Sequence, residues 1–494
     1  MHNGRPGRFD RGGRRYEHVL DGDGHLIKFV VDGKQQRAHI SNAFVKTDEF
    51  IAEQARDDIL YRSTFGTQPL GLADNFMNLQ LKNQANTNIQ WCAGRLLALW
   101  EAGLPWRVNP WTLETEGADL LDGCVRGAPG ALTVTTGHLP TPKSSPRKTS
   151  LPRSCQSGSH LLKAPAYLLA GLDAVDEALK LGRAFTAHPH RCAASGRMVG
   201  WSWAQNPATN SLSMTLVEWD EASEQEVTRK HYSMPDTAMA PHDFAVTESY
   251  YIFVINQISL DLVPYVAGLK GPAQCLSCTG QGVQVHLVPR PHGAAAGTDA
   301  VVIKTDDAWF NIHHATAIEE WQGQAAQGAA AQGGQASRLV VFCTGWDSAS
   351  KGPFLSDWGG VVPLYDKVPA AFLFKLEIDV AARRVERTKL TGHCEHAHVH
   401  PDFEARDACR YVYVSAANTY GIPSPPNAWL RYDTHTDGTA MWCAPARQFV
   451  EELVVIPKRA AGERDAAEDT ADAWLVGMIY CAQRRQSCLA ILDA

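Results

Sequence analysis

Tyr250-Tyr251-Ile252-Phe253-Val254-Ile255 is six aromatic or β-branched residues in a row, a composition that favours a strand. Successive side chains of a strand point to opposite faces, and here both faces are apolar. An antiparallel sheet with one wet face would alternate, so this strand must be covered on both sides. Upstream the chain reads Pro241-His242-Asp243-Phe244-Ala245-Val246, followed by Thr247-Glu248-Ser249 as a turn. A histidine thus stands beside a proline at the mouth of an apolar strand, where a side chain can turn into a central cavity.

Further strands are predicted at Leu26–Val31, Arg95–Trp100, Met198–Trp203, Leu212–Trp219, Leu339–Cys343, Phe372–Ile378, Tyr411–Ser415, Trp474–Tyr480 and Cys488–Leu492. Gly, Asp, Asn and Pro punctuate between them. Blades stacked around an axis cover both faces of every sheet without long helices. The fold class read from this pattern is all-β, a propeller rather than a single sandwich. Three segments interrupt it. Pro140–Ser159 reads as a disordered insertion, 322–337 as a Gln/Ala/Gly low-complexity loop, and Ala460–Ala473 as a charged loop. One helix is predicted from Pro165 onward, with Leu168, Leu172, Val175 and Leu179 on one face. It packs on the sheet or presents an apolar patch for peripheral membrane contact.

Length and composition bound the function. The chain has 494 residues, 45% of them apolar and 20% charged, enough for a large core. Its formal net charge is −7 without a basic stripe, which argues against nucleic acid. Apolar runs stop well short of the ~20 residues needed to span a bilayer, and no signal or targeting segment is visible. Twelve cysteines without a disulfide rhythm favour a reducing compartment, a plastid or the cytoplasm. Cys275-Leu-Ser-Cys278 reads as two stray thiols.

His242 has two counterparts. One is Thr186-Ala-His188-Pro-His190; the other is Asn311-Ile-His313-His314-Ala-Thr-Ala-Ile-Glu319-Glu320. His188, His242 and His313 lie 54 and 71 residues apart, too far for a local metal loop. The spacing suits three sheets that each send one imidazole to a shared axis, a non-haem iron site. Glu101, Glu319, Glu395 and Glu452 are candidates to accept the other ring N–H of such imidazoles; a surface carboxylate at a strand end is the alternative. His393-Cys-Glu395-His396-Ala-His398-Val-His400 invites a local zinc reading, because His396, His398 and His400 would share one strand face. Such histidines point outward together and do not close a tetrahedron.

Taken in order, Leu20-Asp-Gly-Asp-Gly24, Asn86-Thr-Asn-Ile89, Gly94-Arg-Leu-Leu-Ala-Leu-Trp-Glu101, Thr112-Leu-Glu-Thr-Glu-Gly117, Ala187-His-Pro-His190, His242-Asp-Phe-Ala-Val-Thr-Glu248, His313-His-Ala-Thr-Ala-Ile-Glu319 and Ile491-Leu-Asp-Ala494 resemble the carotenoid cleavage oxygenases. That family includes plant and cyanobacterial carotenoid dioxygenases, lignostilbene dioxygenases and the vertebrate retinoid isomerase. The resemblance covers nearly the whole chain and implies one seven-bladed propeller domain over residues 1–494, with loops and short helices capping one face. It implies Fe(II) on the axis, with His188, His242 and His313 as three of four histidine ligands. Glu101, Glu395 and Glu452 match the glutamates behind the ligands, the first orienting His242 and the second His313; Glu319 is not one of them. The implied reaction is oxidative scission of a C=C bond of a carotenoid or apocarotenoid by O₂ into carbonyl products, without a protein nucleophile or acid–base pair. The alternatives are a catalytically inactive propeller that binds an apocarotenoid or acts as a scaffold, and an isomerase or hydrolase on the same fold.

The chain departs from the family pattern in several places. Thr316 and Ile312 replace an asparagine and a phenylalanine, and Glu395-His-Ala-His replaces a more apolar run. The Pro140–Ser159 insertion has little counterpart. The family's opening segment and its fourth histidine fall outside Met1–Ala494. Read through the resemblance, the chain is a product shortened at both ends. Glu452 is then left without its partner, iron is held weakly, and turnover is slight.

Overall fold

The computed structural model describes residues 2–4, 8–125, 184–206, 211–320, 338–349, 352–353, 364–365, 367–419, 423–458 and 471–494. The predicted insertion, the helix after Pro165, the 322–337 loop and most of the 460–473 loop lie outside them. The predicted strands fall on observed ones, among them Arg197–Asn206, Ser211–Asp220, Tyr250–Ile255, Arg338–Trp346, Ala371–Asp379 and Ala473–Cys481. Among the described residues helices are few and short, such as Asp48–Arg56, Leu72–Asn75 and Leu262–Val266. Among the described residues no helix is long and apolar enough to cross a membrane.

The sheets follow the chain in order, as antiparallel ladders. His2–Gly4, His25–Asp32 and Arg37–Phe44 form one. Asn88–Cys92, Arg95–Leu99, Trp106–Val108 and Thr115–Ala118 form the next. Ala184–Phe185, Arg197–Asn206, Ser211–Asp220 and Glu226–Met234 follow, with His190–Cys192 also paired to Arg197–Asn206. Then come Ala245–Val246, Tyr250–Ile255, Gln284–Pro289 and Val301–Lys304. Phe310–Glu320, Arg338–Trp346, Ala371–Asp379 and the long Arg384–Val399 continue the series. The far half of Arg384–Val399 opens another ladder, with Tyr411–Ala416, Ala428–Asp433 and Thr439–Cys443. Gln448–Pro457, Ala473–Cys481 and Gln486–Asp493 come last.

First strands of neighbouring sheets touch one another in sequence. His190–Cys192 meets Ala245–Val246, which meets Phe310–Glu320, which meets Arg384–Val399, which meets Gln448–Pro457. That is a propeller-like arrangement, with leading strands side by side around a centre.

The packing follows from the alternation in Tyr250–Ile255. Tyr250, Ile252 and Val254 join Leu287, Val341 and Leu376 in one core. Tyr251, Phe253 and Ile255 join Trp201, Met214 and Phe244 in another. All six residues of the strand are buried, and burying each large apolar side chain contributes about 1.5–3 kcal/mol. Every sheet between two others is built this way, so each face belongs to a different core.

Polar pins cross these interfaces. Glu218, fully buried, receives the Arg290 guanidinium on both oxygens at 2.8 Å, the Tyr251 hydroxyl at 2.6 Å and Arg197 at 2.9 Å. Arg290 also donates to the Thr247 carbonyl, in the turn just before Tyr250. Arg62, equally buried, donates to the Asn78, Tyr265 and Lys270 carbonyls at 2.6, 2.9 and 2.6 Å. It ties the loop around Leu72–Asn75 to the one around Leu262–Val266.

Candidate metal centre

Each of the three singled-out histidines leads a different sheet. His188 sits between the strands Ala184–Phe185 and His190–Cys192, His242 just before Ala245–Val246, and His313 in Phe310–Glu320. The structure brings all three together. His242 Nε2 lies 3.1 Å from the Nε2 of His188 and 3.1 Å from that of His313. The ring centroids are 4.7, 4.9 and 5.0 Å apart, all edge to face. Gly345, opposite Asn311, lets the strand bearing His313 close on its neighbour, because a Cβ there would collide with the Phe310 carbonyl oxygen.

Two carboxylates stand behind these rings. Glu101 Oε1 is 3.0 Å from His242 Nδ1, and Glu395 Oε2 is 2.7 Å from His313 Nδ1. Thr87 and Thr344 hydroxyls donate to their second oxygens at 3.1 and 2.9 Å. Burial alone would raise both carboxyls, but the facing imidazoles hold each of them down to about 2. Being ionised, they only accept, so the proton of each imidazole is on Nδ1 and the Nε2 lone pair faces the centre. Burial would also lower His313, yet Glu395 lifts it to about 9, so at neutral pH its Nε2 holds a second proton that a bound metal ion would displace. Burial and the neighbouring imidazoles push His188 down to about 3, keeping it neutral.

One polar hub has no counterpart among the predicted site residues. Asp243, directly after His242, takes His190 Nε2 at 2.7 Å and the His314 backbone N–H at 2.6 Å. His190 Nδ1 contacts Glu404 at 2.6 Å. Burial would lower His190, but the two carboxylates raise it to about 10, a buried imidazolium. The Asp243 side chain, next to His242, is thus met by His190, two residues after His188, and by the backbone of His314, next to His313. His190 and Asp243 stand inside the quoted sequence motifs, but only the fold pairs them.

The Glu395–His400 segment differs from the sequence reading. His396, His398 and His400 do not share a face, because the ladder shifts register between Glu395 and His398 and His396 takes a left-handed backbone with φ 56°. His398 contacts Glu452 at 2.7 Å, and His400 is buried, its ring accepting the Asp402 N–H. Glu452, expected to lack a partner, has His398 at 2.7 Å and His396 at 3.7 Å. Those partners come from inside the propeller, from the bulged strand beside it. Glu319 lies away from the imidazoles and accepts the Ser249 N–H and hydroxyl at 2.7 and 3.0 Å. The replacement residue Thr316 accepts the Ala405 N–H at 2.9 Å and so anchors the turn that carries Glu404. Cys275 and Cys278 are buried free thiols.

The donor set fits a divalent first-row metal. At metal–nitrogen lengths of about 2.1 Å, two ligands at a right angle are separated by about 3.0 Å, close to both observed spacings. Three Nε2 lone pairs converging at that distance repel one another unless a cation lies between them, and a metal ion would take the place of the proton that His313 otherwise holds. Glu101→Gln and Glu395→Gln are each expected to weaken Co(II) or Fe(II) affinity about 10–100-fold. Calorimetric titration checks this, and affinity within twofold of the parent would refute the orienting role.

Over residues 2–494 the sequence matches the family model described as retinal pigment epithelial membrane protein. The chain belongs to this family, the carotenoid cleavage oxygenases. The apocarotenoid-15,15'-oxygenase of Synechocystis sp. is 28% identical over 495 residues, covering 99% of this chain and 83% of that protein. The chloroplastic carotenoid cleavage dioxygenase 7 of Oryza sativa is 27% identical over 515 residues, covering 97% and 78%. Among solved structures of the family, cobalt-substituted Synechocystis ACO matches with a TM-score of 0.76 at 27% identity, over 100% of this chain and 86% of that one.

Proposed function

We infer that this chain is a non-haem Fe(II) dioxygenase that cleaves one C=C bond of a carotenoid or apocarotenoid, each alkene carbon taking one oxygen atom of O₂ to give two carbonyl products. The observation that carries this reading is the trio of imidazoles with His242 Nε2 3.1 Å from each of the other two Nε2 atoms and ionised carboxylates behind two of the rings. In this reading His188, His242 and His313 hold the iron, Glu101 and Glu395 orient the last two, and Glu452 supports the same side. When bound, Fe(II) supplies the one-electron chemistry that lets dioxygen react with an alkene. The protein's own task is geometric: carboxylates fix the tautomers, Asp243 ties the three segments together, and no side chain need move a proton. The sheets read as seven blades, with Arg384–Val399 shared between two of them. Two relatives support the substrate class by name, an apocarotenoid oxygenase and a carotenoid cleavage dioxygenase.

The test is aerobic incubation of the Fe(II)-loaded protein with a panel of carotenoids and apocarotenoids, followed by product analysis. Paired aldehyde or ketone products with oxygen uptake are expected. Intact polyenes throughout, from a protein that holds iron, would favour the binding-only alternative.

An apolar polyene is delivered most directly from a lipid surface. Leu70, Leu72, Phe76, Met77, Val263 and Leu269 are exposed on the two loops joined by Arg62, Val263 to 75% and Leu70 to 70%. The Met77 N–H donates to the Val266 carbonyl at 2.8 Å, which holds the loops side by side. Such a patch suits peripheral membrane contact, and a plastid or cytoplasmic setting belongs to the same reading. Phe76→Asp with Val263→Asp should abolish co-sedimentation with lipid vesicles; undiminished binding would exclude this patch.

A further inference from the structure

We propose that His396 is a fourth imidazole donor of the same centre, an inference that rests on the metal reading above. The first observation is backbone conformation. A non-glycine residue at φ 56° inside a strand is uncommon and strained. Here it coincides with the bulge between Glu395 and His398, a device that re-aims a side chain. The effect is to turn His396 off the strand's regular alternation and set its ring 5.3 Å from that of His313. That separation is close to the 4.7–5.0 Å among the three converging rings.

The second observation is a repeated pattern. Glu101 backs His242 and Glu395 backs His313 at hydrogen-bond distance; Glu452 Oε2 faces His396 Nδ1 from 3.7 Å, a longer contact with the same Nδ1-to-carboxylate arrangement. His398, at 2.7 Å from the other Glu452 oxygen, holds that carboxylate in place. The bulge is itself pinned, because the His396 N–H donates to the Glu395 carboxylate. Ligand atoms of His313, Glu395 and His396 all lie within 4.8 Å of one another. Joining His188 and His242 as well requires the His396 ring, whose side chain is 42% exposed, to turn toward the Nε2 cluster when metal binds.

The experiment counts imidazoles on Co(II) or Fe(II) bound to the full chain by X-ray absorption, and measures metal affinity by titration. His396→Asn is the variant of choice, because asparagine tolerates the left-handed backbone, and thermal unfolding checks its fold. Four imidazoles are expected in the parent and three in the variant, with at least the roughly 10–100-fold loss of affinity that follows removal of an orienting partner. The count on the parent needs no variant, so misfolding cannot mask the answer. Three imidazoles in the parent, or equal affinity in parent and variant, would overturn the assignment and leave the three-histidine centre standing. A parent that binds neither metal would overturn the centre and the fourth donor together.

Discussion

His242→Ala is expected to abolish metal retention, the largest effect of any single substitution at the centre. His242 is the middle imidazole, with Nε2 3.1 Å from that of each neighbour, whereas the His188 and His313 ring centroids are 5.0 Å apart. Its loss also strands Glu101. The imidazole holds that carboxyl at about 2 against burial, and without it burial favours protonation. The two losses act together, so the effect should exceed the roughly 10–100-fold expected for an orienting glutamate alone. Metal content after gel filtration of the Co(II)-loaded variant reads this directly, with circular dichroism as the check on folding. One equivalent of tightly held cobalt in His242→Ala would sink the shared-centre reading.

The second large effect is on stability. Glu218→Gln is expected to cost about 3–5 kcal/mol, the usual penalty for removing one partner of a buried ion pair. Arg290 would keep its charge deep in the core between two sheets, facing an amide in place of a bidentate carboxylate. Burial raises the Glu218 carboxyl, but Arg290 outweighs it and holds the group at about 2, below its ordinary 4.5. The sign follows from that depression. The pair's contribution is complete above about pH 4.5 and fades as pH falls toward 2. Denaturant unfolding of parent and variant should therefore show a wide gap at pH 7 that narrows on acidification. A gap that widened toward low pH, or none at pH 7, would contradict the assignment. Because Arg290 also holds the Thr247 carbonyl, the damage reaches the turn that follows the His242 strand.

Much of the fold was legible in local composition. Tyr250–Ile255 declares two buried faces, and the structure gives each its own core. The three histidines were legible because each stands beside a run of strand residues in a short motif. The wiring around them was not. Asp243 is adjacent to His242, but its partners His190 and His314 are 53 and 71 residues away, and no local pattern encodes that pairing. The turn at His396 was hidden for a different reason. Regular alternation is the default for a strand, and a left-handed non-glycine residue leaves no mark in composition. Reading His396, His398 and His400 as one face followed from assuming that default. Reading Glu452 as solitary came instead through the resemblance, because the histidine it would orient in the family falls outside Met1–Ala494.

The alternation in Tyr250–Ile255 has a consequence for how such a chain can change over time. A sheet that lends its two faces to two different cores is not a module. Deleting it would leave a pair of apolar surfaces that were never shaped to meet, and duplicating it would demand two new matings at once. In a linear repeat array the end units can be trimmed or extended, because each repeat answers only to its neighbours along one line. A sheet with a neighbour packed on each face has no such free end. Inheritance can therefore tinker with the connections between strands, and with single side chains such as the one at position 396, far more readily than with the number of sheets.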